Sequence, residues 1–127
     1  MNVLFACVQN AGRSQIAEAF FREAADGRHA ARSAGTRPAE HVHEVVVDAM
    51  REVGIDLAGR APRRLAREDV EWADVVVTMG CGDECPFVPG TRYVDWELDD
   101  PAGKSADEAR ALRDEIRRRV EVLLGAL

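Results

Sequence analysis

Residues 2–21 read NVLFACVQNAGRSQIAEAFF, and the rest of the chain is organised around them. The apolar run Val3-Leu4-Phe5-Ala6 ends at Cys7. A small polar turn follows through Gln9, Asn10, Ala11 and Gly12, and an amphipathic segment begins at Arg13 and Ser14. That order predicts a strand, a loop and a helix. Cys7 then stands where the strand stops, and the backbone N–H groups from Val8 to Arg13 curl round one point at the positive end of the helix. The product is an oxyanion cup with a sulfur at its base.

Arg13 follows Cys7 closely enough for one winding of the loop to return its guanidinium to the rim of the cup. The planar fork binds two oxygens of a tetrahedral anion at once. The helix terminus and Arg13 both favour thiolate over thiol, and a Ser14 hydroxyl adds a hydrogen bond to the same sulfur. A Cys and an Arg at this spacing arise readily by chance. The flanking strand, small-residue loop and helix separate this pair from a buried structural cysteine beside a surface arginine.

At 127 residues the chain reads as one domain, 1–127, long enough to bury a core without disulfide staples. A net charge of −6 argues against nucleic acid or an anionic membrane surface as the main partner, so an anionic substrate is attracted locally, at the cup. No apolar stretch approaches the length of a membrane span, and residues 2–7 are too short and lack the basic leader of a signal peptide. These features predict a soluble, cytoplasmic monomer. Three cysteines are an odd set, suited to a reducing compartment and a catalytic or redox role.

Further along, Ile16, Ala17, Phe20, Phe21 and Ala24 share one helical face that ends near Asp26-Gly27. Ala30 to Ala34 is a second strand. Val42, Val45, Val46, Ala49, Met50 and Val53 mark the next helix, with His41 and His43 as solvated residues at its start. A short charged helix spans Pro62 to Trp72. Asp74 to Met79, DVVVTM, is a buried parallel strand, and Arg92 to Asp95 a last short one. The closing helix presents Ala109, Leu112, Ile116, Val120, Leu123 and Leu127 to the core, and Arg117-Arg118-Arg119 decorates its opposite face. Strands alternating with helices imply a parallel sheet covered on both sides, with function at the carboxyl ends of the strands. Cys7, Cys81 and Asp100 all follow strands and open on that edge.

A thiolate in such a cup attacks phosphorus or arsenic presented as a tetrahedral oxyanion, and an acid must protonate the departing oxygen. Asp100, stiffened by Pro101, is preferred to Asp99 for that role. Hydrolysis of a phosphate ester needs no second cysteine, whereas Cys81 and Cys85 lie in a glycine-bearing loop on the same edge. A Cys81 thiol attacking Cys7 would expel a reduced oxyanion, and Cys85 would then attack Cys81 and release Cys7, with Gly80 and Gly82 letting the loop swing. Two rival readings of the C-x3-C pair are half a zinc site completed by His41 and His43, and inert thiols in a structural loop.

CVQNAGRSQ (7–15), RSAGT (32–36), VVTMGCGDECP (76–86) and WELDDPAGK (96–104) together resemble the arsenate reductases built on the low-molecular-weight tyrosine phosphatase scaffold. The resemblance implies a four-stranded parallel sheet of flavodoxin-like topology and reduction of arsenate to arsenite in arsenic detoxification. It implies Cys7 as nucleophile, assisted by Ser14, and Asp100 as acid. Arg13 with the loop amides of Val8, Gln9, Asn10, Ala11 and Gly12 binds the anion, and Cys81 and Cys85 form the relay. Phosphate or sulfate would serve as substrate analogues, and no cofactor or metal is implied. Thioredoxin is the implied reductant, with a mycothiol-linked redoxin as the alternative. A low-molecular-weight phosphatase acting on phosphomonoesters, and an arsenite or metal sensor, are the competing functions.

The pattern is departed from at three places, one of them the C-x3-C gap, which is shorter than in members with a longer redox helix. Gly12 replaces the second cysteine that phosphatase members often carry before the loop arginine. Some relatives bind potassium through residues matching Asn10, Glu18 and Ser33 with a further acid, where this chain has Arg63. A Glu18–Arg63 ion pair is therefore expected in place of the cation.

Overall fold

The computed structural model describes residues 1–81 and 85–127. Four strands, β1 (Asn2–Cys7), β2 (Ala30–Gly35), β3 (Val75–Met79) and β4 (Arg92–Asp95), form one sheet in the order β2-β1-β3-β4. Every pairing is parallel, as expected. Cys7 stands level with Gly35 on one side and Met79 on the other, so the loops after three strands leave from one edge.

Side-chain alternation divides the two faces. Val3, Phe5, Val75, Val77 and Met79 join a core with Ile16, Phe21, Met50, Ile116 and Val120, carried by α1 (Arg13–Ala25), α2 (Glu44–Arg51) and α4 (Ala106–Gly125). Leu4 and Val76 face the opposite way, onto Val70 and Ala73, at α3 (Arg67–Trp72). Central strands buried on both faces read as unbroken apolar runs. Phe5 packs edge-on against Phe21 at 5.6 Å between centroids and against Trp96 at 6.0 Å, which fixes the strand that ends in Cys7.

Several boundaries differ from the sequence expectation. Ala25 rather than Ala24 is buried at the end of α1, before Asp26 takes a left-handed conformation at φ 47°. The charged helix expected from Pro62 starts only at Arg67. Residues 63–65 instead run beside β2, with Gly35 N donating to Arg63 O at 2.9 Å and Leu65 N to Gly35 O at 2.8 Å. This covers an edge that would otherwise be left unpaired. Leu112 on α4 and Leu127 just past its end are half-buried and pack against the core, and Arg113 is buried among the core positions because Ala49 O and Glu52 accept from its guanidinium at 2.7 and 2.9 Å. Among the described residues no helix is long and apolar enough to cross a membrane.

Candidate active site

The loop after β1 is held from outside by its carbonyls. Thr36, Arg37, Ala39 and His43 donate backbone N–H groups to the oxygens of Cys7, Val8, Gln9 and Ala11 at 3.1, 2.8, 3.0 and 2.9 Å. Among the loop amides, that of Asn10 turns inward, toward Cys7. The first backbone bond of α1 runs from Ile16 N to Gly12 O, so the N–H groups of Arg13, Ser14 and Gln15 precede the ladder, and no side chain caps the helix at Gly12. The positive end of the α1 dipole therefore lies at this loop, the kind of place where an anion is held.

Cys7 sits at the base of this cup, 2% exposed. Asn10 N donates to its Sγ at 3.2 Å, and Ser14 Oγ lies 2.8 Å away. Asn10 Nδ2 donates to that same Oγ at 2.7 Å, which leaves the Ser14 proton to point at the sulfur. A sulfur approached by two donors is arranged as an acceptor, the role of a thiolate. Asn10 itself is fully buried with φ 50°, a conformation that Asn tolerates better than most residues. Its Oδ1 accepts from Arg63 N and from Gln15 Nε2 at 3.0 and 3.2 Å.

Arg13 lies almost buried across the rim. Its Nη2 is 3.7 Å from Asp100, and its Nη1 donates to Leu98 O at 3.4 Å. Both contacts are long, which leaves the fork ready for a better acceptor. Asp100 is half-exposed, and its Oδ1 accepts from Ala102 N at 3.0 Å, a local turn that aims the other oxygen at Arg13. A groove of about 820 Å³ runs between residues 95–101 and α4. It reaches Gly80 and Asp100 but not Cys7, so it adjoins the cup rather than containing it.

Cys81 and Cys85 are joined in a disulfide, while Cys7 is free. Cys81 is 4% exposed, and its Sγ lies 3.9 Å from the carbonyl oxygen of Ala6, next to the nucleophile candidate. Cys85 is half-buried. Bonded to each other, the two sulfurs do not form half a zinc site in this state. Of the glycines expected to flank a swinging loop, Gly82 lies outside the described residues. Gly80 adopts φ +89°, and a Cβ on it would stand 2.7 Å from Arg13 Nη1.

The supporting shell corrects two expectations. Glu18 does not pair with Arg63: Arg60 reaches its carboxylate at 2.5 Å and Arg22 at 2.8 Å. Arg63 instead binds Ser33 O at 2.7 Å and Asp69 at 2.6 Å, because pairing with β2 directs its side chain toward α3. Asp69 is fully buried. Burial pushes its carboxyl upward, but the Ala66 N–H and the guanidinium groups of Arg63 and Arg32 outweigh this and hold it below its ordinary value. His43 is not merely solvated, since its Nε2 lies 3.0 Å from Gln9 Oε1. Apolar periodicity alone hides the contacts of Arg60 with Glu18 and of His43 with Gln9, which are distant in sequence, and that of Gln15 with Asn10 in the preceding loop.

The family model for low molecular weight phosphotyrosine protein phosphatases matches residues 2–127, and the chain belongs to that family. Within it, similarity runs to arsenate reductases. A protein of Halobacterium salinarum provisionally named an arsenate reductase is 43% identical over 121 residues, covering 91% of this chain and 85% of its own. The thioredoxin-dependent arsenate reductase of Corynebacterium glutamicum superposes with a TM-score of 0.83 at 38% identity, covering 98% of this chain, which spans 60% of that longer one. An arsenate reductase solved in a phosphate-binding state gives 0.86 at 34% identity, covering 98% of this chain and 97% of its own.

Proposed function

We propose that this chain is an arsenate reductase that works through a thiol relay. The observation that carries the reading is a cysteine in an anion cup with a second cysteine beside the residue preceding it, already bonded to a third. Cys7 thiolate attacks arsenic, Arg13 and the loop amides hold the remaining oxygens, and Asp100 protonates the oxygen that leaves as water. Cys81 thiolate then attacks Cys7 Sγ. The S–As bond breaks toward arsenic, arsenic(V) becomes arsenic(III), and arsenite departs from a Cys7–Cys81 disulfide. Cys85 attacks Cys81 and frees Cys7, which ends the cycle in the Cys81–Cys85 disulfide. A protein dithiol of the thioredoxin type supplies the two electrons that reopen it. The half-exposed Cys85 is the sulfur such a partner can reach.

The test follows NADPH oxidation in a thioredoxin-coupled assay with arsenate. Turnover that needs Cys7, Cys81 and Cys85 supports the relay. Phosphomonoester hydrolysis that needs Cys7 but survives Cys81→Ala and Cys85→Ala, with no arsenate turnover, would replace the reductase with a phosphatase.

A further inference from the structure

Phe87, two residues after Cys85, is 69% exposed, yet it is not loosely placed. Its ring stacks on Tyr93 of β4, centroids 5.1 Å apart and planes 25° from parallel. The Tyr93 hydroxyl donates to Pro86 O at 3.0 Å and accepts from Val88 N at 2.7 Å. Both neighbours of Phe87 are thus clasped by one hydroxyl, while Tyr93 itself packs against the α3-side core. Holding a large apolar ring toward water in one orientation gives up the burial that normally stabilises it. A tetrahedral oxyanion gains nothing from such a ring, so the small substrate does not explain it.

We infer that Phe87, held by the Tyr93 clasp, is the docking anchor for the protein dithiol that reduces the Cys81–Cys85 disulfide. The inference rests on the relay reading of those two cysteines. The occupant follows from the chemistry: a reductant must bring a thiolate to Cys85, because Cys81 is buried, and whatever seats itself there covers the residues that follow. The incoming thiolate attacks Cys85 Sγ, the Cys85–Cys81 bond breaks, and Cys81 leaves as the thiolate. The partner's second thiol then attacks the mixed disulfide, releasing Cys85 and leaving the partner oxidised. An aromatic side chain fixed in advance costs little entropy on docking, the property of residues that dominate an interface.

Reduction of the oxidised protein is followed by stopped flow with no arsenate present, first with thioredoxin and then with dithiothreitol. For Phe87→Ala the second-order rate constant with thioredoxin falls about tenfold, that with dithiothreitol stays within about twofold, and Phe87→Trp restores the thioredoxin rate. Tyr93→Phe keeps the stack but opens the clasp and gives an intermediate loss with thioredoxin alone. An unchanged thioredoxin rate in Phe87→Ala overturns the inference. So does an equal fall with both reductants, which would make Phe87 a determinant of disulfide access rather than of docking. Failure of the reductase reading shows separately, as absence of arsenate turnover in the unaltered protein.

Discussion

Pro101 lies so close to Gly12 that a Cβ on the glycine would stand 2.4 Å from Pro101 Cγ. The two residues join the anion loop to the loop that carries Asp100, and the absence of a side chain at position 12 sets their separation. Gly12→Ala must push the buried Pro101 ring outward and Asp100 with it, away from Arg13. Such overpacking costs about 1–3 kcal/mol, and a displacement near 1 Å at an acid lowers turnover by roughly a hundredfold. Asp100→Asn should lower kcat while leaving the melting temperature nearly unchanged. Comparing kcat and thermal unfolding in the two variants separates loss of the proposed acid from displacement of its loop.

In the proposed relay, the buried Cys81 beside Ala6 would set the order of thiol exchange. Cys81 is the sulfur nearer Cys7, and Cys85 is the less buried of the pair. In Cys85→Ser the first exchange proceeds and the second cannot, so one equivalent of arsenite forms and a Cys7–Cys81 disulfide accumulates. In Cys81→Ser no arsenite forms even once. Non-reducing peptide mapping after addition of arsenate reads both outcomes, and arsenite release from Cys81→Ser would refute this order.

The parts of this molecule legible in its sequence are those set by local pattern. β1 and β3 are continuous apolar runs because α-helices cover both faces. Arg13 stands six positions after Cys7 in a short winding between strand and helix, so the strand, loop and helix that carry both could be read from residues 7 to 14. What could not be read depends on partners brought together by the fold. Arg60 and Arg63 look equivalent in a charged connector, and only the pairing of residues 63–65 with β2 sends one toward Asp69 and leaves Glu18 to the other. The outward carbonyl bonds from Thr36 to His43 are likewise invisible, since backbone donors carry no sequence signature. His43, at a helix start, gives no hint that its ring meets Gln9.

Asp69 links stability to pH. Its carboxyl is held below the ordinary value in the folded protein, so the charged form is favoured by folding. The stabilisation is fully present above the unfolded value of about 3.9 and is lost as pH falls through the lower folded value. Asp69→Asn should therefore be less stable at pH 7, by about 2 kcal/mol given that Arg63 and Arg32 can rehydrate. The gap from the unaltered protein should narrow below about pH 3.9. Urea denaturation at neutral and acidic pH measures this, and a gap that widens on acidification would contradict it.

Arg60 determines whether a monovalent cation matters. Glu18 is 3% exposed, and one of its oxygens accepts from both Arg60 and Arg22. A guanidinium thus supplies positive charge to the buried Glu18, and it is tethered to the chain, so a dissolved ion competes poorly for the same carboxylate. Arsenate turnover titrated with KCl and with NaCl at equal ionic strength should give superimposable curves, both showing only the general weakening of anion binding by salt. In Arg60→Ala the buried carboxylate keeps Arg22 alone, and the vacated side becomes accessible to a small cation. Potassium should then raise kcat/KM by about twofold or more over sodium, a factor within reach of a fraction of a kcal/mol in loop order. A potassium-specific rise in the unaltered protein would mean that the guanidinium does not hold this position during turnover.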